Sequence, residues 1–292
     1  MGARLSVAQL NIGSLLEPDW PRRRPEVGAW LARLDADIVC LEEVWEDDRH
    51  QNTARWLADQ WPNRWHVCFG GFSAPPAFGA EPSVRSGAAV LSRWPIQAHE
   101  LFELPGSDDS TGNPWDAVKL ELLATRTAGI DVFATHLSPM PHRGSLRRQQ
   151  VRFIDETVAA WRDPRSPLPP VLCGDFNAEP DSDEIRFLSG LTSIDGRDTW
   201  WQEAWRSAGL SEPGFTQDPA NPYYGRFNLP PKRIDFIFVG DTWLTRRPDG
   251  SHDADRGRVL DASLAFHEPL TGIYASDHYG LIANIGWPDR PA

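Results

Sequence analysis

The sequence predicts an α/β fold in which two packed β-sheets are flanked by helices. Strand-like segments occur along the whole chain, and only a few helical segments separate them. Their order is neither strict strand–helix alternation nor all-β. A chain with many strands and few helices favours two packed sheets with the helices outside. With 292 residues, the chain is long enough for one large domain or two small ones.

The predicted strands are apolar runs, or apolar–polar alternations, bounded by Gly and Pro. Leu5–Ile12 alternates, as a half-buried strand does, whereas Asp37–Val44 is a nearly continuous apolar run typical of a buried strand. The further predicted strands are Arg64–Phe69, Gly87–Ser92, Ile96–Leu101, Asp116–Leu123, Ile130–Leu137, Val171–Gly174, Arg233–Val239 and Tyr279–Ile285.

The predicted helices carry apolar residues at helical spacing. In the first of them, Val27, Trp30, Leu31 and Leu34 fall on one face. Pro62 is expected to end the second helix. The predicted helices are Pro21–Leu34, His50–Trp61, the long Arg143–Trp161, a helix capped by Asp181 or Ser182, and Trp200–Ala208.

We expect one domain over residues 1–292. Three Pro- and Gly-rich stretches, Gly70–Ser86, Pro105–Pro114 and Pro213–Pro231, have the composition of long loops, but none lies where a linker would be expected. The motifs described below begin at Asn11 and end at His278, so any cut between two domains would separate them.

The charge of the chain restricts its partners. The formal net charge is −12, which argues against a protein that grips long duplex DNA or an anionic membrane by bulk charge. No segment approaches the roughly 20 apolar residues of a membrane span. The N-terminus lacks the apolar core of a signal peptide, so we expect a cytoplasmic protein.

The cysteines are predicted to be reduced. Cys40, Cys68 and Cys173 cannot all pair, and Cys40 and Cys173 lie inside apolar strand-like runs. Their spacing also lacks the paired Cys-x-x-Cys pattern of a zinc site.

Carboxylate, amide and imidazole residues recur at the ends of apolar strands. Carboxylates are costly in apolar surroundings unless they are paired or bind a metal. Strand ends that meet at one edge would form a cleft lined with oxygen ligands, which suit Mg²⁺ or Mn²⁺. Singly, these residues have ordinary explanations: Gly174–Asn177 has turn composition, and His136 could be a structural histidine. The strand-end residues are Asn11, Glu43, His136, Asp175, Asn177, Asp235, Asp277 and His278.

As an ordered set, these motifs resemble the endonuclease/exonuclease/phosphatase superfamily of metal-dependent phosphoesterases. They stand in the family order and cover nearly the whole chain. The motifs are Asn11 on the first strand, Leu41-Glu42-Glu43-Val44, Ser86 to Arg93 (SGAAVLSR), Thr135-His136-Leu137, Gly174-Asp175-Phe176-Asn177, Arg233-Ile234-Asp235 and Ser276-Asp277-His278.

The resemblance implies a four-layer α/β sandwich with two mostly antiparallel sheets, and hydrolysis at phosphorus by in-line attack of water. By similarity, Glu43 holds a Mg²⁺ or Mn²⁺ ion, with Asn11 and Asp277 as its neighbours in the metal site. Asp175 matches the residue that orients or deprotonates the attacking water. Which residue is the general base is left open by the sequence.

The same resemblance implies the groups that contact the phosphate. Asn177 matches a donor to a phosphate oxygen, and His278 matches an imidazole on the phosphate. Asp235 matches the carboxylate that fixes the tautomer of His278. His136 matches a second imidazole, which donates to the phosphate or to the leaving group.

Five residues in or just after the Pro213–Pro231 stretch are further substrate-binding candidates, because their side chain types suit stacking and phosphate contacts. They are Tyr223, Tyr224, Arg226, Phe227 and Lys232. The alternative is a rigid, aromatic-packed loop.

The expected activity is a phosphodiesterase, acting as a monomer on a compact phosphoester or a nucleic-acid end. The alternatives are a phosphomonoesterase of the same superfamily and an inactive binding module. The Leu5–Val44 segment is similar to the tyrosyl-DNA phosphodiesterase branch. Phe72, Phe78 and Trp115 are too few aromatic loop residues to predict membrane insertion.

Overall fold

The structure is a computed structural model that describes residues 3–49, 51–61, 63–74, 83–106, 115–241 and 255–290. The predicted helix end at Pro62 lies outside these residues. So do Phe78, residues 75–82 of the predicted loop Gly70–Ser86 and residues 107–114 of the predicted loop Pro105–Pro114.

Twelve strands and six helices are found in the described residues. The strands are β1 Arg4–Asn11, β2 Ile38–Glu46, β3 His66–Ser73, β4 Arg85–Ser92, β5 Ile96–Glu103, β6 Glu121–Thr127, β7 Ile130–His136, β8 Val171–Asp175, β9 Trp201–Glu203, β10 Asp235–Gly240, β11 Val259–Ala265 and β12 Gly280–Gly286. The helices are α1 Trp20–Leu34, α2 Thr53–Asp59, α3 Gly144–Trp161, α4 Asp183–Leu188, α5 Ala204–Ser207 and α6 Pro222–Gly225.

The strands form two six-stranded sheets. The first has the order β11-β12-β1-β2-β4-β3, and the second has the order β5-β6-β7-β8-β10-β9. Each sheet contains one parallel pair, β1 with β2 and β7 with β8. The other neighbours are antiparallel. The predicted sandwich of two mostly antiparallel sheets with flanking helices is confirmed.

Three apolar clusters form the layers of the core. The middle cluster lies between the sheets and includes Val7, Cys40, Cys173 and Ile237. One outer cluster joins the first sheet to α1 and α2, and the other joins the second sheet to α3 and α4. Because side chains alternate along a strand, every second residue of β1, β2, β7, β8 and β10 enters the middle layer.

Five local features of the structure differ from the predictions. The predicted loop Gly70–Ser86 is wrong at its two ends, because residues 70–73 belong to β3 and residues 85–86 to β4. The segment predicted as one helix, Trp200–Ala208, is divided into the short strand β9 and the single turn α5. Strand β6 begins at Glu121, five residues after the predicted start. The loop Pro213–Pro231 contains the turn α6. Strand β11 was not predicted, because an edge strand with exposed Asp261 lacks the apolar signal of the other strands.

The three cysteines are buried free thiols, as predicted. None of the helices in the described residues has both the length and the apolarity that crossing a bilayer requires.

Candidate active site

The predicted catalytic residues meet at one end of the layer between the sheets. His136 ends β7, Asp175 ends β8 and Asp235 begins β10, and the strand register places Asp175 beside both of the others. Asn11 ends β1 in the opposite sheet. Each of these four residues lies on the face of its strand that points toward the opposite sheet, next to the apolar residues of the middle cluster. The strand period therefore brings together residues that are far apart in sequence.

A glycine allows β7 and β8 to approach at this point. A Cβ on Gly174 would lie 2.0 Å from the carbonyl oxygen of Thr135. Gly174 is thus required by close packing of two strands rather than by a turn. The left-handed conformation in this motif falls instead on Asn177, at φ 48°.

A β-bulge turns Glu43 toward the cleft. The pairing of β2 with β4 shifts between Leu41 and Val44, and Glu43 takes the left-handed conformation at φ 55°. Bulges commonly redirect a side chain beside an active site. Here the bulge leaves Glu42 buried between the sheets and directs Glu43 into the site. Such a backbone is disfavoured for a non-glycine residue.

Asn11 joins the two sheets through its amide. Its Nδ2 donates to Glu43 Oε1 and to Asp175 Oδ2, each at 3.1 Å. Its Oδ1 accepts from the Gly13 N–H at 3.0 Å. The nitrogen of Asn11, rather than its oxygen, therefore faces the carboxylates.

Asp175 is the centre of the cluster. Its Oδ2 lies 3.5 Å from His136 Nε2 and 3.8 Å from His278 Nε2. Its Oδ1 accepts from the Asn177 N–H at 2.8 Å. Burial, followed by the nearby Asp235 charge, raises the pKa of Asp175, against the lowering effect of both imidazoles.

His278 is held from both sides of its ring. Its Nδ1 hydrogen-bonds to Asp235 Oδ2 at 2.8 Å, and its Nε2 lies 3.0 Å from Gln217 Nε2. Burial alone lowers the pKa of His278, but Asp235, Asp277 and Asp175 together raise it well above its usual value. An imidazolium at this position would require the oxygen of Gln217 to face Nε2.

Acidic residues also cluster around Glu43 in the wall of the cleft. Asp277 and Glu43 are both close enough to Glu17 to influence its ionisation. Burial, followed by the Asp277 charge, raises the pKa of Glu17 to about 7. Burial likewise raises the pKa of Glu43. This concentration of partly buried carboxylates favours a bound cation.

The candidate substrate residues occupy different positions. Tyr224 and Lys232 line the cleft, but the Tyr224 hydroxyl is bound to the Pro230 carbonyl at 2.6 Å. Arg226 is exposed and donates to Glu17 Oε1 at 2.7 Å. Asn177 lines the cleft and donates from Nδ2 to the Leu137 carbonyl at 3.0 Å.

The cleft is open, with a volume of about 480 Å³. Among the residues that the structure describes, its walls carry more carboxylates than cations. The carboxylate residues are Glu17, Glu43, Asp175, Glu179 and Asp277, and the cationic residues are Arg147, Lys232 and the protonated form of His278. Arg147 is already bound to Glu184 at 3.0 Å. A phosphoester anion would therefore meet net repulsion here unless a cation were bound.

The donor groups fit a divalent metal ion. Ligand atoms of Asp175, Asp235 and His278 lie within 4.8 Å of one another. The acidic group of Glu43, Asp277 and Glu17 offers a second set of oxygen donors, which is the set that Mg²⁺ or Mn²⁺ prefers.

Sequence reasoning missed four polar residues around this cluster. Gln9, Glu42, Gln217 and Glu17 are the missed residues. Gln9 carried a usable signal, because it stands two residues before Asn11 on the same strand and so shares its face. Gln217 and Glu17 lie in loops, whose path the sequence pattern does not specify.

Solved structures with the same fold include two that hold an anionic ligand. A D. rerio TDP2 structure complexed with a single-strand DNA product has a TM-score of 0.67 at 17% identity, covering 97% of this chain and 98% of that one. The human Nocturnin catalytic domain with bound sulfate has a TM-score of 0.66 at 19% identity, covering 97% and 93%. At these identities the likeness concerns the fold.

Sequence comparison gives the family. Human sphingomyelin phosphodiesterase 2 is 24% identical over 301 aligned residues, which cover 97% of this chain. The chain spans 64% of the length of that relative, which is less than two thirds. A family model described as the Endonuclease/Exonuclease/phosphatase family matches residues 8–278, from β1 to the last histidine of the site. This chain therefore belongs to the endonuclease/exonuclease/phosphatase family.

Proposed function

We propose that this protein is a metal-dependent hydrolase that cleaves a phosphodiester bond by in-line attack of an activated water. The observation that carries the proposal is the buried group of Asp175, Asp235 and His278, facing Glu43 and Asp277 across one cleft. The family of the chain and its 24% identity to a human sphingomyelin phosphodiesterase support the same reaction class.

The side chains of Asp175 and His278 would do most of the chemistry. Asp175 Oδ2 lies between the imidazoles of His136 and His278, where it can accept a proton from a water in the cleft. His278, kept cationic by Asp235, would stabilise negative charge on the phosphoryl oxygens. His136 would donate to the phosphate or to the leaving oxygen, and Asn177 to a phosphate oxygen.

We propose that Mg²⁺ or Mn²⁺ binds at Glu43, with Asp277 and Asn11 adjacent. Glu43 and Asp277 would supply carboxylate oxygens, and the Asn11 amide would orient Glu43 through its hydrogen bond. When bound, such an ion neutralises charge that develops on phosphoryl and leaving oxygens. Glu17 would add to the negative charge that attracts the ion.

The substrate that we propose is a compact phosphodiester or a nucleic-acid end. Phe227 and Leu229 at the cleft rim are about half exposed and offer apolar contacts next to Lys232. Such a rim suits a nucleobase or another apolar substituent on an anionic phosphoester. The single-strand DNA product held by the D. rerio TDP2 structure is compatible with this class.

The first experiment is a turnover assay of purified protein with Mg²⁺, using bis(p-nitrophenyl) phosphate and p-nitrophenyl phosphate in parallel. A diesterase hydrolyses the first far faster, and a monoesterase prefers the second. A binding module would hydrolyse neither compound, and it would also leave a panel of nucleotides, DNA ends and phospholipid head groups intact. Asp175→Asn and Glu43→Gln serve as controls against a contaminating hydrolase.

We further propose that residues 1–292 act as one domain, as a monomer in the cytoplasm. The family match from residue 8 to residue 278 supports the single domain. Size-exclusion chromatography with light scattering would test the monomer.

A further inference from the structure

Gln9 lies directly behind the Asp235–His278 pair. Its side chain is fully buried between the sheets. Gln9 Nε2 donates to Asp235 Oδ1 at 2.9 Å and to Glu42 Oε2 at 2.7 Å. One amide nitrogen on β1 of the first sheet therefore connects a carboxylate on β2 with a carboxylate on β10 of the second sheet.

The orientation of this amide follows from its partners. Asp235 bonded to the ring of His278 is an acceptor, so the Gln9 atom 2.9 Å from its other oxygen must be a donor. A rotated amide would place oxygen against oxygen at that distance. The nitrogen has two hydrogens, and the second is directed to Glu42.

The contacts of Asp235 show what the amide controls. Oδ2 binds His278 Nδ1 at 2.8 Å, and Oδ1 binds Gln9. The Asp235 backbone N–H is bound separately, by the Thr216 hydroxyl at 3.3 Å. Gln9 thus holds the oxygen that His278 does not, and so opposes rotation of the Asp235 carboxylate about its own bond. That rotation sets the direction of the imidazole, whose Nε2 faces Asp175 at 3.8 Å.

The arrangement is not explained by stability. Gln9 Oε1 and Glu42 Oε1 are both buried without a hydrogen-bond partner in the described structure. Buried unpaired acceptors destabilise a fold, and apolar side chains of similar volume would pack at these two positions without that cost. A buried polar pair that does not stabilise the core is expected where its hydrogen bonds orient a functional group.

We propose that Gln9 is a positioning residue for the phosphoester hydrolase, and that Glu42 holds its amide in place. Gln9 acts through Asp235 on His278 and does not contact the substrate. This inference rests on the proposed function for its kinetic consequence, but the hydrogen-bond chain itself can be measured without turnover.

The kinetic test compares Gln9→Met with Gln202→Met. Gln202 is a matched control, because it is a buried glutamine on β9 that donates to the Gly257 carbonyl, away from the cleft. Loss of an outer hydrogen-bond partner that orients the ligand residues of a metal enzyme typically costs on the order of 10–100-fold in metal affinity or activity, and we take this range as the guide for Gln9. Gln9→Met should lose about that much in kcat with KM within twofold, and Gln202→Met should lose neither. In an Asp235→Asn background, Gln9→Met should add little further loss.

Glu42 supplies the conservative comparison. Glu42→Gln keeps an acceptor oxygen for the Gln9 amide, whereas Glu42→Met removes it. We therefore expect Glu42→Gln to lose much less kcat than Glu42→Met. Equal losses from both would contradict a role for the acceptor.

The spectroscopic test uses the metal-free protein. The His278 Nδ1 proton, held against Asp235, should give a proton resonance far downfield of the amide region, assigned by its loss in His278→Asn. Gln9→Met should move or broaden this signal, and Gln202→Met should leave it unchanged. An unchanged signal in a folded Gln9→Met protein overturns the inference, even if the wild type hydrolyses no phosphoester. If Gln9→Met fails to fold, the same proton spectrum is recorded for Glu42→Met. The inference expects the downfield signal to move or broaden in that variant, and an unchanged signal contradicts it.

Discussion

His278 Nδ1 lies 2.8 Å from Asp235 Oδ2, although 43 residues separate the two in sequence. Both side chains are buried, and Asp235 comes from the second sheet whereas His278 precedes the last strand of the first. The hydrogen bond therefore spans the sandwich. It fixes the ring and favours its protonated form, which is the state that would stabilise phosphoryl oxygens.

This pair predicts strong coupling between two substitutions. His278→Ala should lower kcat by on the order of 10²–10³, as removal of a preorganised donor does. Asp235→Asn should lower kcat less, because it acts through His278. The double variant should be close to His278→Ala alone in steady-state assays. Independent, multiplicative losses would show that Asp235 has a separate role, for example in binding a metal.

Asp175→Asn should lower kcat far more than it raises KM. The carboxylate lies between two imidazoles and would act on the attacking water, so its effect belongs to the transition state. A loss on the order of 10²–10³ is expected. Circular dichroism should show a folded variant. Retention of more than about a tenth of wild-type kcat would remove Asp175 from the proposed role.

Metal removal should abolish turnover, and Glu43→Gln should weaken metal binding directly. Isothermal titration of Mg²⁺ and Mn²⁺ into chelator-treated protein measures this without substrate. Glu121→Gln is a suitable comparison, because Glu121 is a buried carboxylate at the start of β6 that lines a neighbouring cavity rather than the cleft and is not assigned to the metal. Full turnover in excess chelator would contradict metal dependence.

The stability of the metal-free protein should fall as the pH rises. Glu17 has an ordinary pKa of 4.5 and a folded-state pKa of about 7, so between these values the folded state keeps a proton that the unfolded chain loses. The raised pKa of His278 acts in the same direction. Its favourable contribution is fully present below the ordinary pKa of 6.5 and is lost as the pH rises through the higher folded-state pKa.

Thermal unfolding in chelator between about pH 5 and pH 9, a range that spans these pKa values, measures this trend, and Glu17→Gln should flatten it. Mg²⁺ should raise Tm more on the alkaline side of this range than on the acidic side, because protons compete with the metal for the carboxylates. A Tm that increases with pH in the metal-free protein would contradict the expected fall in stability.

Gly174→Ala should destabilise the fold strongly. The new Cβ would lie 2.0 Å from the Thr135 carbonyl oxygen, and neither backbone can move without separating β7 from β8. Overpacking of this kind typically costs about 1–3 kcal/mol, or more where backbone is involved. Gly144→Ala is the control, since its nearest neighbour would be 3.5 Å away. Urea denaturation of both variants decides the point.

The sequence by itself determined the fold class and named most residues of the candidate site. Period-two patterns marked the central strands, and buried strands such as Asp37–Val44 give a strong signal because both of their faces are apolar. The polar residues at or near the ends of the strands, from Asn11 to His278, could be recognised because a carboxylate or amide beside an apolar run needs a partner. Strand β11, at the edge, lacked that contrast, and its exposed Asp261 hid it.

Only the tertiary structure decided which polar groups meet. The bulge that separates the directions of Glu42 and Glu43 depends on the pairing of β2 with β4, which a local pattern does not specify. The contact of Gln9 with Asp235 spans 226 residues and two sheets. Such contacts are set by how the sheets pack against each other, because side-chain direction within a strand is local but the identity of the facing strand is not.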